Sequence, residues 1–375
     1  MEPSVVQRGL EDVVALESHI CFIDGKQGRL IYRGYDIREL TARSTFEEVA
    51  YLLWYSRLPT STQLAELKRR MAELRTVPDS LAKVIDSLPA DAAPMDMLRT
   101  AVSSLALFEP QETRPGPSSI GGAQRLTAVL PTILGRFHRR RTGGKAIVPR
   151  PDLSQAAYTL YALADREPSD LDAHAFDVAL ILHADHELNA STFAARVTAS
   201  TLSDLYSSVT SAIGTLKGPL HGGANERVME LLNEIGEPSR AEGIVRAKLA
   251  RHERIMGFGH RVYKVEDPRA TILREWLRRV GEEKGNLRYY DLLAKIKDVV
   301  HHEKGLYPNL DFYSGSVYSL LGIPHDLFTP IFASSRVAGW TAHVLEEYDD
   351  LRLIRPTAKY IGATDLSYVP IDQRT

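Results

Sequence analysis

Histidine is the residue type with the most chemistry to offer in this chain. There are 12, and five of them, His183, His186, His221, His252 and His260, fall within one stretch. Two stand in glycine-bearing segments, Lys217-Gly218-Pro219-Leu220-His221-Gly222-Gly223-Ala224-Asn225 and Met256-Gly257-Phe258-Gly259-His260-Arg261. Glycines beside a histidine let the backbone come close to a ligand. His221 stands just before a helix expected to begin near Ala224, whose positive end disfavours an imidazolium. A neutral imidazole held there can donate a hydrogen bond to a carbonyl or enolate oxygen. The alternative for either loop alone is a tight turn that holds a histidine; the two together favour a site.

Three further groups have chemistry to weigh. His183-Ala184-Asp185-His186-Glu187 has a spacing that fits one helical face, but it is not HExxH and no third metal ligand follows from it. His183 reads as a packing residue. Asp311, in Pro308-Asn309-Leu310-Asp311-Phe312, reads locally as a helix N-cap, and a general base in partly apolar surroundings is the other reading. Arg269 and Arg355 are unremarkable locally. Arg336 sits among Ala333, Val337, Ala338 and Trp340 and is expected to be buried, where a guanidinium needs an anionic partner. His301-His302-Glu303 reads as solvated, and His19, His138, His174, His252, His325 and His343 as surface or packing residues.

The elements that must position these residues are mostly helices. Ser44-x-x-Glu47 and Thr60-x-x-Gln63 are capping boxes ahead of apolar stripes. Ser169 to about Leu182 puts Phe176, Ala179, Leu180 and His183 on one face. Asn225 to Ile235 and Ile331 to Glu347 read as helices. Asp267-Pro268 is an N-cap followed by proline at the first helical position. Ile20 to Arg33 is the one strand signal, a small hairpin around Asp24-Gly25 and Gly28. There is no strand–helix alternation and no GxGxxG, which argues against a doubly wound nucleotide fold. Glu109 to Gly122 reads as a polar loop, and Arg139-Arg140-Arg141 as a solvated helix end. Segment 105–150 matches no usable motif and is expected to be an insertion or a flexible connection.

Composition narrows the class. The 375 residues carry 46 Lys plus Arg and 48 Asp plus Glu, a net charge of −2, so no clustered cationic excess marks a nucleic-acid surface. Apolar residues make up 44%, enough for a large core and for two domains of roughly 150 residues each. Cys21 is the single cysteine, which excludes an intrachain disulfide and a multi-cysteine zinc site. No apolar run approaches the roughly 20 residues a membrane helix needs. The acidic opening segment does not read as a secretory or transit signal. A soluble cytoplasmic protein is expected.

Taken in order, GPLHGGAN, MGFGHRVYKVEDPRA, YPNLDFYSG, RVAGW and IRPTAKYIG resemble the citrate synthase family, and GLEDVVALESHICFIDGKQGRLIYRGYDI resembles that family's opening segment. The resemblance covers almost the whole chain and is strongest to the short bacterial and archaeal members. It implies an all-α, two-domain fold with a small N-terminal β-hairpin. Residues 1–221 and 323–375 would form the large domain and 222–322 the small one. It implies condensation of acetyl-CoA with oxaloacetate, with acetyl-CoA a substrate and no cofactor or metal. By resemblance, Asp311 removes a proton from the acetyl methyl group, His221 donates to the thioester oxygen and His260 polarises the oxaloacetate carbonyl. His186, Arg269, Arg336 and Arg355 hold oxaloacetate, with Arg355 reaching in from the second subunit of a homodimer. Arg254, Met256, Gly257, Phe258, Gly259 and Lys264 lie against CoA. The extra N-terminal extension of the larger, NADH-inhibited members is absent, so that regulation is not expected.

Four rival readings share parts of this pattern. A 2-methylcitrate synthase, using propionyl-CoA, would keep every residue above, since one extra methylene is worth only about 1–3 kcal/mol of discrimination. A citryl-CoA-cleaving relative would be found in a larger chain. A helical scaffold with packed histidines, or a metalloenzyme built on HADHE, would leave the joint presence of His221, His260, Asp311 and three arginines unexplained.

Overall fold

The structure, a computed structural model, describes residues 6–11, 13–109, 116 and 119–374. The hairpin forms where expected. Strands β1 (Cys21–Asp24) and β2 (Arg29–Tyr32) pair antiparallel, and a short β3 (Tyr35–Asp36) adds to β2. Asp24 turns the chain, its carboxylate accepting from the Lys26 and Gln27 amides at 2.9 Å each. Everything else of length is helical: α1 (Ile37–Arg43), α2 (Phe46–Tyr55), α3 (Ser61–Glu73), α4 (Asp79–Ser87), α5 (Pro94–Phe108), α6 (Ile120–Thr142), α7 (Gln155–Ala164) and α8 (Asp170–His183). There follow α9 (Ala190–Ala199), α10 (Leu205–Leu216), α11 (Ala224–Ile235), α12 (Pro238–Ala250), α13 (Pro268–Glu283), α14 (Arg288–Lys304), α15 (Leu310–Leu320) and α16 (Phe328–Asp349). The all-α class is thus the observed one.

Helix α16 is the axis of the core. It is buried on every side from Phe328 to Val344, as expected of a helix apolar all round, and packs on α2, α6, α8, α9 and α10. Helices α11 to α15 pack largely on one another, α12 on α14 and α15 on both α11 and α13. Beyond α16, residues 351–370 run extended and exposed, tied back where the Ile354 amide donates to Ser200 Oγ at 3.1 Å.

The capping signals mostly hold. Thr60 and Gln63 form the expected box, Ser169 caps α8, and Asp267 caps α13 ahead of Pro268. Five expectations need correction. The first capping box is Thr45 with Glu48, one residue later than Ser44 with Glu47. Glu47 is buried instead, its carboxylate accepting from the Gln155 amide at 2.9 Å, while Ser44 ends α1. Residues 120–142, within the segment expected to be an insertion or connection, form the 23-residue helix α6, which packs on α7 and α16. Most of the expected polar loop 109–122 lies outside the described residues, and its last residues already belong to α6. Arg139 is not solvated: it is 3% exposed and donates to the Ala162 carbonyl and to Asp165, both 23 or more residues along the chain. Finally, α8 ends at His183, so His183 and His186 do not share a helical face.

Candidate active site

His183 is fully buried, and its Nδ1 donates to the Ala179 carbonyl at 2.7 Å, because a carbonyl can only accept. It is a packing residue, as its stripe position implied. The chain then leaves the helix and presents His186, whose ring lies 5.1 Å from that of His260 and 5.8 Å from that of Tyr263. Nε2 of His186 is buried with no protein partner. Burial, then Arg269 and His260, hold this imidazole well below its ordinary pKa, so it is neutral.

The His260 and Asp311 segments are fastened together. The Asn309 amide donates to the Gly257 carbonyl at 2.9 Å, the Gly259 amide to the Tyr307 carbonyl at 3.0 Å, and the Asn309 side chain to the Gly259 carbonyl at 3.1 Å. Gly257 has φ +84°, and a Cβ there would lie 2.9 Å from Phe312 Cα, so only glycine permits the approach. The ring of His260 is gripped from behind: Nδ1 accepts from the Val262 and Tyr263 amides at 3.0 and 3.1 Å. The proton therefore resides on Nε2, which is left as a donor. Burial, then Arg269, push His260 down to about 4.

Asn309, not Asp311, caps α15; its side chain accepts from the Asp311 amide at 3.1 Å. This overturns the local N-cap reading of Asp311 and leaves the Asp311 carboxyl for other work. Burial pushes that carboxyl up to about 6, against the pull of Arg269. Asp311 sits within the field of both Arg269 and Arg336.

His221 enters from the loop before α11. Its Nε2 faces the Ser191 amide at 3.3 Å and Ser191 Oγ at 2.8 Å. Ser191 Oγ is itself fixed, donating to Asn189 Oδ1 at 2.8 Å and accepting from Trp340 Nε1 at 3.1 Å. His221 is thus tethered to Ser191 through Nε2. Burial, then Arg336, push His221 down to about 4. The sequence reading ascribed this neutrality to the start of α11; burial is the larger cause. Beside His221 opens a cavity of about 400 Å³, with Leu220, Arg227, Lys248, Arg254 and Met256 in its walls.

The arginines differ. Arg269 is buried and clasped by Asp267 through Nε at 3.1 Å and Nη2 at 2.8 Å. Arg336 is 2% exposed, donates from Nε to the His183 carbonyl at 2.6 Å and lies over the Phe332 ring. Among the described residues no carboxylate forms a direct ion pair with Arg336, and the anionic group whose charge acts on it is the buried Asp185. Arg355 is exposed in the extended segment after α16 and is not brought to the cluster within one chain. Of the expected CoA contacts, Arg254 and Met256 line the cavity. Phe258 instead packs on Phe312, and Gly257 and Gly259 serve the joint between loops. The Lys264 amide donates to the Gly25 carbonyl at 2.8 Å, which ties it to the hairpin. Ser191, Asn309 and Asp267 were missed as site residues. Asn309 carried a signal, since asparagine two residues ahead of Asp311 is a strong capping residue in its own right.

This helical frame and its trio of neutral histidines beside a protonatable acid match one family. The sequence profile described as "Citrate synthase, C-terminal domain" matches residues 9–357. Citrate synthase 2 of Bacillus subtilis is 51% identical over 98% of this chain and 99% of its own length. A 2-methylcitrate synthase of Shewanella oneidensis is 44% identical over 98% of this chain and 97% of its own. The citrate synthase of Thermoplasma acidophilum, solved with carboxymethyl coenzyme A and oxaloacetate, superposes with a TM-score of 0.93 at 36% identity, covering 99% of this chain and 100% of that one. The chain belongs to the citrate synthase family.

Proposed function

We propose that the protein is a citrate synthase, an acyltransferase that condenses acetyl-CoA with oxaloacetate and hydrolyses the resulting thioester to citrate and CoA. The observation that carries the reading is the pair of neutral histidines, His221 tethered to Ser191 through Nε2 and His260 with its proton on Nε2, around the raised carboxyl of Asp311. The methyl of a thioester is a very weak acid. A carboxylate removes its proton only when a placed donor meets the developing enolate oxygen. Asp311 takes the proton, and His221 donates a hydrogen bond to the thioester oxygen. The methylene carbon then attacks the oxaloacetate keto carbon, whose oxygen His260 Nε2–H stabilises as it becomes an alkoxide and then a hydroxyl. Water cleaves citryl-CoA, releasing citrate and the thiol.

Arg336, His186 and Arg269 receive the dianionic oxaloacetate. A buried guanidinium without a direct ion pair is a preformed seat for a carboxylate, which it suits bidentately. The cavity beside His221 takes CoA, with Arg227, Lys248 and Arg254 near its phosphates and Met256 against its apolar part. No step calls for a metal or a further cofactor. Residues 222–322 form a small domain that closes on the large one, 1–221 with 323–375, and excludes water until citryl-CoA has formed. Arg355 completes the site of a second copy in a cytoplasmic homodimer. Asp311→Ala and His260→Ala are expected to abolish citrate formation while circular dichroism and melting stay near wild type. Near-normal turnover by either variant would sink the mechanism.

A further inference from the structure

Behind the histidines lies a buried charged chain that the chemistry above does not use. One stripe of α16, Arg336, Gly339, Trp340 and His343, runs along the His183–Ser191 segment. Arg336 and Trp340 reach the segment's two ends, at the His183 carbonyl and Ser191 Oγ. Between them Gly339 donates its amide to the Ala184 carbonyl at 3.1 Å, and a Cβ there would lie 2.5 Å from Asp185 Oδ1. His343 Nε2 lies 3.3 Å from that same Oδ1, with both residues within 1% of complete burial. Nδ1 of His343 faces Arg196 Nη1 at 3.3 Å. Arginine can only donate, so Nδ1 accepts and the His343 proton is on Nε2, close to Asp185 Oδ1 but not aligned as a hydrogen bond to it. Arg196 is held in turn by Glu347 at 2.8 Å and Glu346 at 2.7 Å.

Asp185 uses its other oxygen locally. Oδ2 accepts from the Glu187 amide at 3.2 Å, which closes a turn that puts Glu187 at φ +53° and His186 at its crest. Tyr32 clamps the same residue, donating to the Asp185 carbonyl at 2.6 Å. Burial works against the Asp185 charge, yet His343 and Arg336 hold its carboxyl below the ordinary range. A fully buried carboxylate in a chain of this kind persists only where its partners over-determine it.

We propose that Asp185 and His343 are positioning residues for oxaloacetate: the Asp185–His343 pair fixes the turn that presents His186 and supplies the buried negative charge behind Arg336. Neither touches substrate. Both act through His186 and Arg336, so the proposal rests on the citrate synthase reading. Their loss should weaken oxaloacetate binding selectively, because the His221 side of the site hangs on Ser191 and its own loop.

The test measures citrate formation with acetyl-CoA and oxaloacetate varied separately. Wild-type turnover in the same assay checks the underlying reading independently of the variants. Asp185→Ala and His343→Ala should raise KM for oxaloacetate by about tenfold or more, the scale of a misplaced binding group, with KM for acetyl-CoA within about twofold. Asp185→Asn keeps the acceptor for Glu187, and His343→Gln keeps a donor toward Asp185; both should return most of the oxaloacetate affinity. If Asp185→Ala does not fold, His343→Ala decides. An unchanged KM for oxaloacetate in a folded alanine variant, an equal rise in both KM values, or no rescue by the conservative variants would overturn the proposal.

Discussion

A carboxyl that takes a proton from a methyl group must be ionised in the resting enzyme and still be basic. Asp311, raised by burial to about 6, meets both demands near neutral pH. His221 and His260, pushed down to about 4, stay neutral across the same range. The acid limb of kcat/KM for acetyl-CoA should therefore fall with an apparent pKa of about 6 and a slope of one proton. Initial rates in a series of buffers check this, and a limb centred near 4 would assign it to the histidines instead. The role of Asp311 was not legible locally, because an acid at a helix start is usually a cap. What frees it is Asn309, which caps α15 and also bonds Gly259, a contact between segments 50 residues apart. The histidine loops were legible because glycine around histidine is a local signal. The tautomer of His260 was not, since it depends on the amides of Val262 and Tyr263.

Among the elements, capping boxes were readable wherever the side chains stay local, as at Thr60 and Gln63. The reading slipped by one residue at Ser44 because Glu47 bonds a helix more than a hundred residues away. Helix α6 was hidden by its glycines, Pro131 and basic end, yet tertiary burial of its length outweighs these breakers. The same region carries a stability switch. Asp177 accepts from the Phe46 amide at 3.2 Å, and burial followed by the nearby Glu47 pushes its carboxyl up to about 8. The unfolded chain has a carboxyl near 4, so the fold binds this proton more tightly. The stabilisation is complete below about pH 4 and is lost as pH rises through about 8. Asp177→Asn, which keeps an acceptor without the charge, should raise the melting temperature more at about pH 8.5 than at about pH 5. Equal shifts at both pH values would contradict the assignment.

For the whole molecule, a net charge of −2 excluded a polyanion as partner but not a small dianion. The structure buries two guanidinium groups, Arg269 and Arg336, within reach of the Asp311 carboxyl's field, and Arg336 has no direct ion pair with a carboxylate among the described residues. Arg355 stands apart, exposed on the extended segment after α16, which leaves it available to a second copy. If it completes the partner's site, mixing unfolded Asp311→Ala and Arg355→Ala chains and refolding them together should restore turnover that neither variant shows alone. One site of each mixed dimer then has both residues intact. No recovery in mixed dimers would place Arg355 in its own chain's site or outside any site. Release of free thiol by the purified protein, followed with oxaloacetate and either acetyl-CoA or propionyl-CoA, bears most directly on the central claim. Thiol release that requires oxaloacetate, yields citrate mole for mole and has the higher kcat/KM with acetyl-CoA is the predicted result. No release from acetyl-CoA in the presence of oxaloacetate would contradict it.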